Sequence, residues 1–279
     1  MTKRIFSQHL DSILGKELKV LDKGFVRVVD YMGDDSSIVQ SARVSYGRGT
    51  KKTLEDRGLI RFLLKNSHTT PFESCYLKLH IKCPIFIARQ IFRHRTFSYN
   101  EISARYSIID DDFYIPNPER IKTQSEINKQ ESSEENVFEA DKICNDIYLT
   151  SLDSYDSYKS HIEKYKVARE IARIQLPQNI YTQFYMGGTL HNWFHFLKLR
   201  IDDHAQQEIQ EYAKTILYKI IKDWLPISYE AFIDYQLKVV KLSRHELQYI
   251  INYAKGKDIS ENLLYLSKRE IKYLENLLS

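Results

Sequence analysis

Tyr76-Leu77-Lys78-Leu79-His80-Ile81-Lys82-Cys83 runs straight into Pro84-Ile85-Phe86-Ile87-Ala88-Arg89-Gln90-Ile91-Phe92-Arg93, so 18 residues hold two different periods. The first eight alternate apolar with polar, the signature of a strand buried on one face. Pro84 stands where a first helical residue would, and predicts a helix from Ile85 to Arg93. Beyond it the chain reads Arg93-His94-Arg95-Thr96-Phe97-Ser98-Tyr99-Asn100-Glu101-Ile102-Ser103-Ala104-Arg105. Between Ser74 and Arg105 lie six Lys or Arg and one acid, a local charge of +5 against +4 for the whole chain.

That crowding has a physical cost. Arg89 and Arg93 lie four apart on the predicted helix, and an unanswered like-charge pair there costs about 0.2–0.5 kcal/mol. Arg95 adds to the repulsion unless an anion sits among the three. Arginine grips phosphate with two parallel hydrogen bonds, so the segment suggests a site for a phosphorylated small molecule. The alternative is a solvated rim answered by the acidic stretch that follows. Ser98, Asn100, Glu101 and Ser103, interleaved with the cations, favour a site.

Outside this segment the chain is ordinary in composition. Its 279 residues are 43% hydrophobic, enough for a substantial core, and 41 Lys+Arg nearly balance 37 Asp+Glu. A general polycation is therefore excluded. No apolar run is long enough to span a membrane, and Met1 to Gln8 lacks the apolar core of a signal peptide. Three cysteines, Cys75, Cys83 and Cys144, are too few for a disulfide framework. The expectation is a reduced, cytoplasmic, globular protein.

Phe25 to Tyr31 predicts an early strand, and Gly33-Asp34-Asp35-Ser36-Ser37 the start of a helix through Val44. Leu59 to Leu64 predicts another helix. Ser107 to Asp146 is acidic, with eleven acids to four Lys or Arg, and Thr123 to Asn136 reads as a polar, mobile excursion. Helices are expected from Val137 to Tyr158 and over Val167 to Arg173, where Pro177 stops the second. Ile180 to Tyr185 is strand-like. Gly187-Gly188-Thr189 is expected to introduce a helix carrying His191 and His195, and Asp202-Asp203 to cap a long amphipathic helix through Trp224. Ser243-Arg244-His245-Glu246 and Ser267-Lys268-Arg269-Glu270 both read as capping boxes. Residues 236–279 are accordingly expected to be a helical extension packed on or next to a catalytic domain of residues 1–235.

Arg93-His94-Arg95, seven residues and then Ser103 resembles the signature of the flavin-dependent thymidylate synthases. His68-Thr69-Thr70-Pro71-Phe72-Glu73 and Pro84 to Gln90 resemble blocks that precede it in that family. Arg173-Ile174-Gln175-Leu176-Pro177 and Leu199-Arg200-Ile201-Asp202-Asp203-His204-Ala205-Gln206 resemble later ones, in the same order. The resemblance implies an α+β fold, a mixed or antiparallel sheet surrounded by helices. It implies reductive methylation of dUMP to dTMP, with methylenetetrahydrofolate as one-carbon donor, NADPH as reductant and FAD as cofactor, releasing tetrahydrofolate. It also implies a homotetramer with active sites at subunit interfaces.

By position, the resemblance assigns Gln90, Arg93, Glu101, Ser103, Ala104, Arg105, Arg173 and Arg200 to dUMP. It assigns Thr70, Arg93, His94, Arg95, Glu101, Thr189, His191 and His195 to FAD. Positions 189 and 191 depart from the asparagine and arginine of many members. Arg200 is implied to polarise the uracil ring, a guanidinium being suited to stabilising charge that develops at O4. Arg105 and Arg173 suit the phosphate. Ser103 reads as a binding hydroxyl, since no base is evidently placed to activate it.

Cys75 and Cys83, on the strand, read as buried small hydrophobes, and no cysteine has neighbours that would make it a nucleophile. Two other readings compete. His191, His195 and His204 could hold a metal, although no metalloprotease pattern accompanies them, and no metal is expected. Arg93, Arg95 and Arg105 with Phe97, Tyr99 and Tyr106 could bind single-stranded nucleic acid; the small net charge argues against that partner. No glycine-rich dinucleotide loop is present, Gly47-Arg48-Gly49 being only a fragment of one. Ser45, in Ala42-Arg43-Val44-Ser45, resembles one further family block.

Overall fold

The structure, a computed structural model, describes residues 5–44, 53–126 and 132–278, so Ser45 and the Gly47–Gly49 fragment lie outside the described residues. Along the chain come α1 (Gln8–Ile13), β1 (Glu17–Val20), β2 (Gly24–Met32), α2 (Asp35–Val44), α3 (Thr53–Lys65), β3 (Tyr76–Pro84), α4 (Ile85–Ile91) and β4 (Ser98–Glu101). Then follow β5 (Lys122–Gln124), β6 (Ser132–Asn136), α5 (Ala140–Glu163), α6 (Arg169–Ala172), β7 (Tyr181–Thr189), α7 (Leu190–Arg200) and α8 (Gln207–Ile216). Strands β1-β2-β3-β7-β4 form one antiparallel sheet in that order. The fold is α+β, a sheet with helices.

The alternation in β3 orients this sheet. Leu77, Leu79 and Ile81 are fully buried and pair in register with Gly188, Met186 and Phe184 of β7. They join α7 and α8, through Trp193, Phe194, Phe196, Tyr212 and Ile216, in the main core. Lys78, His80 and Lys82 alternate onto the other face, as a period of two requires. A second core gathers Ile109, Phe113, Tyr155, Tyr158, Ala172 and Ile180 around α5 and α6.

Several expectations shift. Pro84 is the last residue of β3, paired with Tyr181, rather than the first of α4. Gly187-Gly188-Thr189 does introduce a helix, α7, with Thr189 as its N-cap, but the two glycines are still strand residues near the end of β7, where neighbours crowd their backbones. A Cβ on Gly187 would meet the Tyr76 hydroxyl at 2.4 Å, and one on Gly188 the Phe97 ring at 2.4 Å. Asp202 and Asp203 do not cap α8; Gln206 does, and Asp202 instead accepts from the His204 backbone N–H at 3.0 Å. The expected long helix runs as α8, a wide π turn (Leu217–Ile221) and a short final turn (Lys222–Trp224).

The polar excursion contains order: β5 pairs with β6, Lys122 opposite Asn136 and Gln124 opposite Ser132. Arg120 ties this ladder down, donating to Ser132 Oγ at 3.1 Å and to the buried Glu208 carboxylate at 2.8 Å. The helix expected over 167–173 shrinks to α6 and a tight turn (Arg173–Gln175).

The chain divides into two compact units, Met1–Leu237 and Lys238–Ser279. In the second, both capping boxes form. Ser243 Oγ accepts from Glu246 N at 3.3 Å while Glu246 accepts from Ser243 N at 2.6 Å, and Ser267 with Glu270 repeats the exchange. Tyr249, Leu266 and Leu274 are the core of that unit.

Candidate functional site

A cleft of about 930 Å³ opens between the two cores of the first unit. One wall is α4, which buries Ile87, Ala88 and Ile91 in the main core and turns Ala88, Arg89, Phe92 and Arg93 to the cleft. The helix is anchored where β7 begins, Ile85 N donating to Ile180 O at 3.0 Å. Glu101, the last residue of β4, and Ile102, Ser103 and Ala104 after it form a second wall, and Arg173, Leu176, Pro177 and Gln178 a third. Tyr181 and Thr182 complete the lining.

Of the residues assigned to the nucleotide, Arg93, Glu101, Ser103, Ala104 and Arg173 line this cleft together. Arg89, Gln178, Tyr181 and Thr182 join them; the helical spacing of Arg89 to Arg93 was a usable signal for the first. Among the described residues, no carboxylate pairs with Arg89, Arg93 or Arg173. Asp112, in the acidic stretch that follows, pairs instead with Lys82 at 2.5 Å and with Lys23 at 3.3 Å. A rim answered by that stretch is therefore not what forms. Three unanswered guanidiniums over an apolar floor of Ile85, Phe92, Ile109 and Leu176 suit an anion carrying a flat ring.

Arg93 also lines a second cavity, of about 610 Å³, with His94, Arg95, Thr96, His195, Leu199 and Arg200. Here a bond joins residues 106 apart in sequence: Arg200 Nε donates to His94 Nε2 at 2.9 Å. Arg200 Nη2 donates to the Gln90 carbonyl at 3.3 Å, which fixes the guanidinium plane. His94 is 7% exposed and packs edge-on against Phe196. An imidazole nitrogen that accepts from a guanidinium carries no proton, so the His94 proton sits on Nδ1.

Burial first, then the charges of Arg200 and His195, lower the His94 pKa from 6.5 to about 4. The Arg200 pKa is lowered too, by burial and then by Arg93, yet a guanidinium stays charged at any working pH. Between pH 6.5 and about 4 the unfolded chain takes up a proton at His94 that the folded chain refuses. Stability from this group is thus fully present above 6.5 and is lost as pH falls toward 4. Denaturation midpoints across that window are expected to fall more steeply in the parent protein than in His94→Gln; equal slopes would remove His94 from this role.

Other assigned residues lie apart from both cavities. Gln90 Nε2 donates to Gln206 Oε1 at 2.6 Å. Arg105 faces Glu170 at 3.6 Å, and its backbone N–H donates to Ser103 Oγ at 3.2 Å. Thr70 opens the turn before β3, which packs on α7. Thr189 caps α7, accepting from Asn192 N at 3.4 Å, and His191 lies one turn before His195 on that helix.

The competing chemistries find little support. His204 Nδ1 bonds Asp202 at 2.8 Å, and among the described residues no cluster of three metal-ligating side chains forms. Phe97 is buried, and Tyr99 donates to the Ile91 and His94 carbonyls, which leaves Tyr106 as the exposed ring of the three. All three cysteines are buried. Burial, then Asp35 and Asp34, raise the Cys75 thiol to about 12; burial, then Glu101, raise Cys83, and burial, then Asp141, raise Cys144. No helix of the described residues is long and apolar enough to cross a membrane.

Comparison with known proteins gives likenesses over most of the chain. Residues 27–227 match the family described as thymidylate synthase complementing protein. A protein of Wolbachia pipientis wMel named flavin-dependent thymidylate synthase is 50% identical over 272 residues, 96% of this chain and 94% of its own. One of the same name from Ruegeria pomeroyi is 47% identical over 281 residues, covering 99% and 93%. Among solved structures, the UMP/dUMP methylase PolB of Streptomyces cacaoi, bound with 5-Br dUMP, superposes with a TM-score of 0.71 at 27% identity. That likeness covers 78% of this chain and 98% of PolB.

Proposed function

This chain belongs to the flavin-dependent thymidylate synthase family, and from that premise we propose that it converts dUMP to dTMP with methylenetetrahydrofolate as one-carbon donor and NADPH as reductant. The observation that carries the reading is the pair of cavities meeting at Arg93. The first would take the nucleotide, with Arg93 and Arg173 on the phosphate, Ser103 as a binding hydroxyl, and the apolar floor under the pyrimidine.

The second cavity fits FAD in donor chemistry. Arg93 and Arg95 can answer phosphate charge, and a neutral His94 beside Leu199 offers an uncharged surface to a ring. Bound there, FAD would supply the reducing equivalents that turn a transferred methylene into a methyl group. Arg200, fixed through His94 and the Gln90 carbonyl, would hold its guanidinium toward uracil O4 and stabilise the negative charge that makes C5 nucleophilic. The raised cysteine thiols favour a route without a protein thiolate.

Gln90, Arg105, Thr70, Thr189 and His191 would complete these sites across subunit boundaries in a homotetramer, consistent with their separation in one chain. Three free buried thiols suit a reducing compartment, and we place the enzyme in the cytoplasm. Residues 236–279 are read as a helical extension to a catalytic domain of residues 1–235. Incubating the purified protein with dUMP, methylenetetrahydrofolate and NADPH should give dTMP and tetrahydrofolate. Dihydrofolate as the folate product, or no dTMP with FAD bound, would overturn the reading.

A further inference from the structure

Thr182 occupies an unusual place for a hydroxyl. In β7 it pairs in register with Cys83, on the side of the sheet where Phe184 and Met186 enter the main core. It is 5% exposed. At the end of that buried row the sheet meets the cleft, and Thr182 lines it. A buried hydroxyl needs a partner, and this one donates from Oγ1 to Glu101 Oε1 at 2.7 Å. Glu101 lines the same cleft as Arg89, Arg93 and Arg173, yet among the described residues no cation pairs with it. An acid among three guanidiniums is held apart from all of them, and the bond that holds it comes from Thr182.

We propose that Thr182 is a positioning residue for the nucleotide, one that keeps the Glu101 carboxylate at the sheet end and off the guanidiniums. The inference rests on the reading of this cleft as the dUMP site. An ionised carboxylate only accepts hydrogen bonds and repels phosphate, so Glu101 must face the donor end of the ligand, its sugar hydroxyl or ring N–H. The arginines are left for the phosphate, and the cleft gains a direction. Without the threonine hydroxyl, Glu101 is free to swing onto a neighbouring guanidinium and compete with the phosphate for it.

Thr182→Val keeps the shape and removes the donor, and Thr182→Ser restores the donor. In steady-state assays of the flavin-loaded enzyme, the valine variant should raise KM for dUMP about tenfold, as loss of one hydrogen bond to a charged group implies. Its kcat should change by less than about threefold, because the contact is one of binding. The serine variant should return KM to near the parent value. A valine variant that matches the parent, a loss that falls on kcat instead, or a serine variant as impaired as valine would each overturn the proposal. Failure of the parent enzyme to methylate dUMP would instead overturn the reading beneath it.

Discussion

Arg200→Ala should lower turnover about 10²–10³-fold, the usual loss when one preorganised donor to developing charge is removed, while the protein remains yellow with bound flavin. Arg200 spends one N–H on His94 and one on the Gln90 carbonyl, and both bonds orient rather than neutralise it. Its charge is therefore still available to the cavity it lines. Because lysine cannot reproduce two fixed N–H directions, Arg200→Lys should be nearly as impaired as alanine. Single-turnover methylation alongside the flavin spectrum separates the possibilities. Loss of flavin with retained turnover of the remaining holoenzyme would make Arg200 a cofactor anchor instead.

Arg173→Ala should weaken dUMP binding about 100-fold, from removal of a charge-assisted contact to phosphate, with flavin content unchanged. Arg173 sits in the tight turn after α6, lines the same cleft as Arg93, and among the described residues has no carboxylate partner to lose. The loss should appear for dUMP and vanish for deoxyuridine, which lacks the phosphate. Equal weakening of both ligands, by calorimetry or fluorescence quenching, would show that Arg173 shapes the cleft and does not grip phosphate.

How far the sequence could be read depended on whether a feature was periodic and local. The β3–α4 junction was legible because an eight-residue alternation and a proline leave little choice. The capping boxes of the second unit were legible for the same reason, since each is complete within four residues. Of the eight residues that the family likeness assigned to the nucleotide, Arg93, Glu101, Ser103, Ala104 and Arg173 line one cleft, while Gln90, Arg105 and Arg200 do not. Strands β1 and β4 were missed: each has four residues and gains its place only by pairing with a longer neighbour. The β5–β6 ladder was hidden likewise, because Glu208, which helps hold it through Arg120, lies 88 positions away.

Within the site, local reading placed guanidiniums but not what aims them. The bond from Arg200 to His94 and that from Thr182 to Glu101 join distant segments through the sheet and α7. Gly187-Gly188-Thr189 was legible as the lead into a helix, but not why glycines stand there. In fact it is the close approach of Tyr76 and Phe97 that demands the two missing side chains.

The most direct measurement is anaerobic reduction of the bound flavin by NADPH, followed by its visible absorbance, with and without dUMP and then with methylenetetrahydrofolate added. Bleaching by NADPH, and reoxidation coupled to dTMP formation once nucleotide and folate are both present, is the expected result. A flavin that NADPH never bleaches, or dTMP formed at full rate by protein stripped of flavin, would contradict it.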